Sequence, residues 1–184
     1  MINVWCVRAE FGKYAQAFLK GGYAAIGWIE DKSLADCKSR DDIQLLYRAA
    51  YPQDTSNIVI GQQVGQIARF LLEIQPGDIV ITPDNNTELL HHGIVEEGYR
   101  FEPNDPACPY MHRRNIKWQT EPLLRSGLSV PLQNTMRSSL TVFSVSQVEE
   151  VLRLVGREGE IPPSKAKPYD PTNAVLEQVL KLDD

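Results

Sequence analysis

Two short apolar runs, Asn3-Val-Trp-Cys-Val-Arg-Ala9 and Tyr23-Ala-Ala-Ile-Gly-Trp28, are separated by one amphipathic segment. The first reads as a strand, with Val4, Cys6 and Arg8 sharing a face. Between the runs, Tyr14, Ala17 and Phe18 fall at helical spacing, and Gly21-Gly22 supplies a stop. A strand, a helix and a second strand therefore occupy the first 28 residues. The second strand ends on a large aromatic, Trp28. A rigid ring at a strand end suits a flat wall for a ligand, and it equally suits a core anchor.

The helical period continues and then gives way. Residues 41–51 place Ile43, Leu46, Tyr47 and Ala50 on one face before Pro52. Residues 56–74 form the longest helical pattern, weakened by Gly61 and Gly65. From Gln75-Pro-Gly-Asp78 onward the pattern is strand-like, with runs over 79–82, 89–96, 98–101, 110–118 and 140–145. A helix over 147–155 closes the series. The expectation is an α+β domain over residues 1–155, a small mixed β-barrel of about six strands with helices inserted after the first two. Residues 156–184 read as a proline-rich linker followed by the start of a C-terminal helix, since residues 160–171 carry four prolines and no periodicity.

Charge and cysteines narrow the function classes. There are 24 acidic and 19 basic residues, a net charge of −5, which argues against a surface that wraps nucleic acid all round. A small basic face on an acidic body stays open. Cys6, Cys37 and Cys108 are widely spaced and odd in number, so neither a disulfide framework nor a zinc site is expected. No apolar window is long enough to span a membrane, and the expectation is a cytoplasmic protein with no membrane partner.

Catalytic signatures are missing from the sequence: no phosphate-binding Gly-rich loop, no Gly-x-Ser-x-Gly and no His-Glu-x-x-His. His91 and His92 are adjacent on a strand and point to opposite faces, which disfavours a shared metal. The carboxylates Asp31, Asp36, Asp78 and Asp84 form no metal-binding constellation with a lysine on an apolar strand. The chain is therefore read as a non-enzyme with no cofactor. Between Arg100 and Leu140 the cations Arg100, Arg113, Arg114, Lys117, Arg125 and Arg137 outnumber the anions Glu102, Asp105 and Glu121. The aromatics Tyr99, Phe101, Tyr110 and Trp118 are interleaved with them, a mixture suited to phosphate contact and base stacking. A solvated strand face over core aromatics fits the same residues.

Taken in order, Trp5-x-Val-Arg-Ala9, Ala25-Ile-Gly-Trp28, Gly77-Asp-x-Val-x-Thr-Pro83, Gly93-Ile-Val-Glu-Glu-Gly-Tyr99, His112-Arg-Arg-Asn-Ile-Lys-Trp118 and Leu140-Thr-Val-Phe143 form a set. Over residues 3–145 this set resembles the N-terminal domain of Mrr-like, modification-dependent restriction endonucleases, of the EVE/YTH/PUA-like superfamily. The resemblance implies a DNA-binding specificity module that flips a modified base, N6-methyladenine or a 5-substituted cytosine, into an aromatic pocket. It assigns base contact to Trp28, Tyr99 and Phe101, with backbone groups at Ala9, Glu10 and Ile29 reading the base edge. Phosphate contact falls to Arg113, Arg114 and Arg137, with His112 beside them, while Trp5 and Trp118 belong to the core. The implied partners are DNA carrying the modified base and a nuclease domain or partner subunit. Two further readings stand beside it: a protein-interaction or small-ligand module regulating a nuclease or toxin, and a reader of modified RNA.

Overall fold

The computed structural model describes residues 1–162. The expected C-terminal helix and most of the proline-rich segment lie outside the described residues. Strands β1 (Val4–Val7) and β2 (Tyr23–Ile26) flank α1 (Ala15–Gly21), as the opening pattern predicts. Two helices follow, α2 (Arg40–Ala50) and α3 (Asn57–Ala68). Ser39 and Asp42 form a reciprocal capping box at the start of α2. Where one helix is expected over 56–74, α3 instead passes into a π-helical turn at Arg69–Glu73.

The second half supplies β3 (Ile79–Pro83), β4 (Leu89–Phe101), β5 (His112–Trp118), β6 (Leu123–Leu124), α4 (Val130–Thr135), β7 (Val142–Ser144) and α5 (Val148–Leu154). The two strands expected over 89–96 and 98–101 are one long strand, whose register against β5 shifts between Val95 and Tyr99. Such a shift marks a bulge and a local bend.

The strands form a seven-stranded sheet in the order β2-β5-β4-β3-β1-β7, with β6 paired to β4. All pairings are antiparallel except β1 with β3. The class is α+β, as expected, but the barrel is not closed. Among the described residues no ladder joins β2 to β7, so the sheet keeps two ends. Its two faces carry separate cores. Trp5, Val7 and Val80 pack with Phe18, Ile43, Ile60, Val64 and Phe70 from the α1–α3 side. Val4, Cys6, Ile79 and Ile81 pack with Leu132, Val151 and Leu152 from the α4–α5 side. Helices covering both faces of an open sheet do the work that closure does in a barrel. Full burial of Phe18 or Phe70 contributes about 3 kcal/mol each. No helix among the described residues is long and apolar enough to cross a membrane.

One buried carboxylate ties the parallel pair together. Asp78 accepts from the indole N–H of Trp5 (3.0 Å), the backbone N–H of Asn3 (3.1 Å) and that of Gln75 (2.9 Å). Trp5 is a core residue, as expected. Replacing Asp78 with Ala leaves the buried Trp5 indole N–H without an acceptor, at about 1–3 kcal/mol, and frees two part-buried backbone N–H groups. A loss of roughly 3 kcal/mol by urea denaturation, with an unchanged m-value, is the expected outcome for Asp78→Ala.

Candidate functional site

The two ends of the sheet approach one another at a cavity of about 240 Å³ lined by Ile26, Gly27, Trp28, Tyr110 and Thr141. Ile26 ends β2, and Thr141 immediately precedes β7. The seam that a closed barrel would seal is therefore where the cavity lies. Trp28 and Tyr110 are both half-buried and provide its aromatic walls. Gly27 is required between them, because a Cβ there would sit 2.7 Å from the Tyr110 ring. Tyr14 meets Tyr110 edge-on at 5.3 Å, and Lys13 lies over Tyr14, with its ammonium 5.2 Å from the ring centre. Burial, and after it the neighbouring Glu10 carboxylate, push the Tyr110 hydroxyl up to about 12, so it stays protonated.

The β1–α1 connection beside this cavity is held in an uncommon shape. Glu10, Phe11 and Gly12 have φ of 50°, 52° and 87° in succession. Two consecutive non-glycine residues in the left-handed region cost about 1–3 kcal/mol each. Gly12 explains how the loop is held, since a Cβ there would fall 2.1 Å from the backbone of Asp84 and Asn85. The loop delivers Phe11 to the surface at 89% exposure, beside the Glu10 that faces Tyr110.

Beneath the cavity floor lies a closed hydrogen-bond relay. His112 is fully buried on β5. Its Nε2 lies 2.9 Å from the Ile29 carbonyl, and its Nδ1 lies 2.6 Å from the Tyr99 hydroxyl. Because a carbonyl only accepts, Nε2 carries the proton and Nδ1 accepts from Tyr99. Tyr99 in turn accepts from the backbone N–H of Leu34 (2.9 Å). The N–H of Ile29 donates to the Tyr51 hydroxyl (3.0 Å), and Ile29 holds φ of 55°. Phe101 stacks on the His112 ring at 5.4 Å. Burial, outweighing the carbonyl hydrogen bonds, holds the His112 pKa below 6.5 and keeps the ring neutral.

These contacts redistribute the roles expected from the sequence. Trp28 lines the cavity. Tyr99 and Phe101 do not; they form a second layer on His112. Ile29 offers no free backbone group, because both its N–H and its carbonyl are engaged internally. Ala9 and Glu10 lie in the strained connection, and their carbonyls accept from Tyr14 and Lys13.

The phosphate assignment is corrected for three residues. His112, Arg113 and Arg114 are all buried. Arg113 donates to Asp105 (2.7 Å), to the Cys108 carbonyl (3.1 Å) and to the Tyr110 carbonyl (3.1 Å), and it lies 4.0 Å from the Tyr23 ring centre. It clamps the loop that carries Tyr110. Arg114 donates to the Phe70 carbonyl in the π-helical turn (2.8 Å). Only Arg137 of the expected set is exposed. The sequence names Tyr110 only among the aromatics interleaved with the arginines, and it does not single out Phe11. The Gly27-Trp28 step and the Glu10-Phe11-Gly12 connection are the local signals that point to them. His91 and His92 do diverge, toward Asp84 and toward the Glu121 carbonyl.

Residues 5–149 match the family described as Domain of unknown function (DUF8426). The chain belongs to that family. The cavity, the strained connection and the buried relay all fall within the DUF8426 domain. No curated protein matches the sequence. Among solved structures, the NMR structure of Rpa0253 from Rhodopseudomonas palustris is similar at 12% identity and a TM-score of 0.42. The match covers 89% of this chain and 98% of that one.

Two measurements check the site's internal contacts. Arg113→Ala is expected to lower stability by about 2–4 kcal/mol, because Asp105 and two loop carbonyls lose their donor. Urea denaturation reads this directly, and an unchanged midpoint would contradict the clamp. The second concerns protonation. His112, and likewise His92, whose pKa burial also lowers, bind protons more weakly folded than unfolded. Their contribution is full above pH 6.5 and is lost as pH falls through the folded pKa, at no more than about 1.4 kcal/mol per unit for each group. Histidine titration by NMR should place both midpoints below 6.5, with the urea midpoint falling over the same range.

Proposed function

We propose that this domain reads a modified base in DNA, taking the base into the seam cavity between Trp28 and Tyr110. The observation that carries the reading is an open cavity with two aromatic walls at the seam between β2 and β7. Its volume, about 240 Å³, lies below the roughly 300–1,000 Å³ of sites for drug-sized ligands and suits a single flat ring system. Stacking a base on aromatic rings is worth about 1–3 kcal/mol, comparable to the stacking lost on flipping. A methyl group adds about 0.8 kcal/mol if its pocket is apolar, so discrimination depends on close fit. The rigid walls favour that fit: Gly27 lets Tyr110 approach the backbone, and Arg113 holds Tyr110 from behind.

Phe11 complements the cavity from outside. An exposed ring on a strained but packed connection is placed to stack on a base beside the one withdrawn. Lys13, over Tyr14 at the same rim, supplies a positive charge. The domain carries recognition, and a nuclease domain or partner subunit supplies cleavage, in a modification-dependent restriction system.

Trp28→Ala tests the reading by fluorescence anisotropy on matched duplexes carrying no modification, N6-methyladenine, 5-methylcytosine or 5-hydroxymethylcytosine. The wild-type chain should prefer one modified duplex by tenfold or more, about 1.4 kcal/mol. The variant should lose that preference and keep its affinity for the unmodified duplex, with circular dichroism confirming its fold. Equal binding of all duplexes by the wild type would overturn base reading.

A further inference from the structure

The arginines of this chain fall into two sets. Arg100, Arg113, Arg153 and Arg157 are each paired with a carboxylate. Arg114 and Arg69 hold the buried carbonyls of Phe70 and Val142, Arg40 of α2 donates to the Gly61 carbonyl on α3, and Arg48 donates to the Asn57 side chain. Arg8, Arg125 and Arg137 are different. They come from the end of β1, the turn after β6 and the turn after α4, and they gather at one rim of the sheet.

Arg8 donates from Nη2 to the carbonyl of Met136, the residue before Arg137 (2.6 Å), and its guanidinium lies 5.8 Å from the Phe143 ring centre. Arg125 donates from Nε to the Thr87 carbonyl (2.7 Å), and Arg137 donates to Asn134 (3.2 Å). Burial, and then the positive charge of Arg8 and, further down, of Arg137, lower the pKa of Arg125. The bond to Met136 seats Arg8 beside Arg137, and Arg125 lies within reach of the charge of both. Among the described residues none of them forms an ion pair. Glu88 is the carboxylate that faces Arg125, and it accepts from the Ser126 N–H (2.9 Å). The Nε of Arg8 is buried without a partner.

Each of the three commits one donor nitrogen to a carbonyl or amide oxygen, which leaves most of their N–H donors uncommitted beside like charges. An anion with several oxygens relieves both. The cluster is also joined to the seam cavity through Thr141, which lines the cavity while its carbonyl accepts from the Arg8 N–H (2.8 Å).

We infer that Arg8, Arg125 and Arg137 form the surface that contacts the phosphodiester backbone of a bound nucleic acid. This rests on the nucleic-acid reading proposed above, and it moves the phosphate contacts from Arg113 and Arg114, buried on β5, to the rim at the end of β1. Arg8 is partly structural, so the test uses Arg125→Gln/Arg137→Gln in the full chain. Affinity for unmodified and modified duplexes is measured between 50 and 200 mM salt. Each phosphate contact contributes about 0.9 to the slope of log affinity against log salt.

The double variant should bind every duplex more weakly, with the slope reduced by about two and the ratio between modified and unmodified duplexes unchanged. Arg100→Gln/Arg153→Gln, which removes the same charge elsewhere, should leave the slope near the wild-type value. Inorganic phosphate, followed through the arginine Nε resonances, separates a backbone site from one for a small phosphate. Saturation by phosphate without oligonucleotide binding would overturn the assignment. So would an unchanged slope in a double variant whose wild type binds DNA. Equal wild-type affinity for all duplexes, with an arginine-dependent slope, would sink the base reading and leave this surface standing. No wild-type binding at the lowest salt would overturn both.

Discussion

A neutral imidazole sealed between a tyrosine hydroxyl and a backbone carbonyl organises the candidate site. His112 has two ring nitrogens and no exposure to solvent, so both must find partners inside the protein. Nδ1 accepts a hydrogen bond from the Tyr99 hydroxyl, and the Nε2–H donates to the Ile29 carbonyl. That second bond orients the peptide after Trp28 and, with Tyr51 on the Ile29 N–H, sustains a left-handed isoleucine that would otherwise relax. β4, β5, α2 and the turn after β2 thus meet at one ring. Trp28 stands at the cavity because the residue after it is fixed from both sides.

The arginines of β5 show how a strand face can mislead when read alone. His112-Arg113-Arg114 looks like a solvated basic stretch, and strand alternation sends its members to opposite faces. Both faces of this sheet are covered by helices, so alternation takes neither guanidinium to water. Each instead finds oxygens whose proximity depends on the tertiary fold: Asp105 and two carbonyls of a proline-rich loop for Arg113, and the π-helical turn for Arg114. The π-turn and the arginine answer each other, because a carbonyl outside the α-helical ladder needs a donor. Nothing local in either segment announces that exchange.

Much of the framework was legible for the opposite reason, because it depends on local pattern. Val4 and Cys6 separate from Trp5 and Val7 onto different cores, as period-two alternation requires. Gly22 ends α1 with φ of 69°, and Pro52 follows the end of α2. Closure of the sheet was not legible. Whether β2 pairs with β7 depends on how far the sheet curls and what covers its faces, and buried residues such as Ala24 and Ala25 look alike in a barrel or at a covered edge. Trp28 was visible as a ring at a strand end, but its companion Tyr110, expected to open the strand over 110–118, lies in the loop before β5. Gly27, whose Cβ would meet the Tyr110 ring, marks the close approach that the sequence pattern alone does not show.

The open seam, the strained connection and the arginine rim share a physical logic. A chain with a net charge of −5 places most of its arginines in ion pairs or on buried carbonyls, leaving a cationic patch that is small and sharply located. A small patch on an acidic body repels polyanions over most of its surface and attracts them at one place, which favours orientation over general adhesion. The β1–β7 rim where that patch lies also borders the sheet's unsealed edge. The same few residues, Arg8 through Gly12, run from the cationic face through the left-handed turn to the exposed Phe11. Charge, strain and aromatic exposure are therefore consecutive along one connection. A rearrangement of that connection would move all three together, and its anchorage against Asp84 and Asn85 keeps them in register with the cavity.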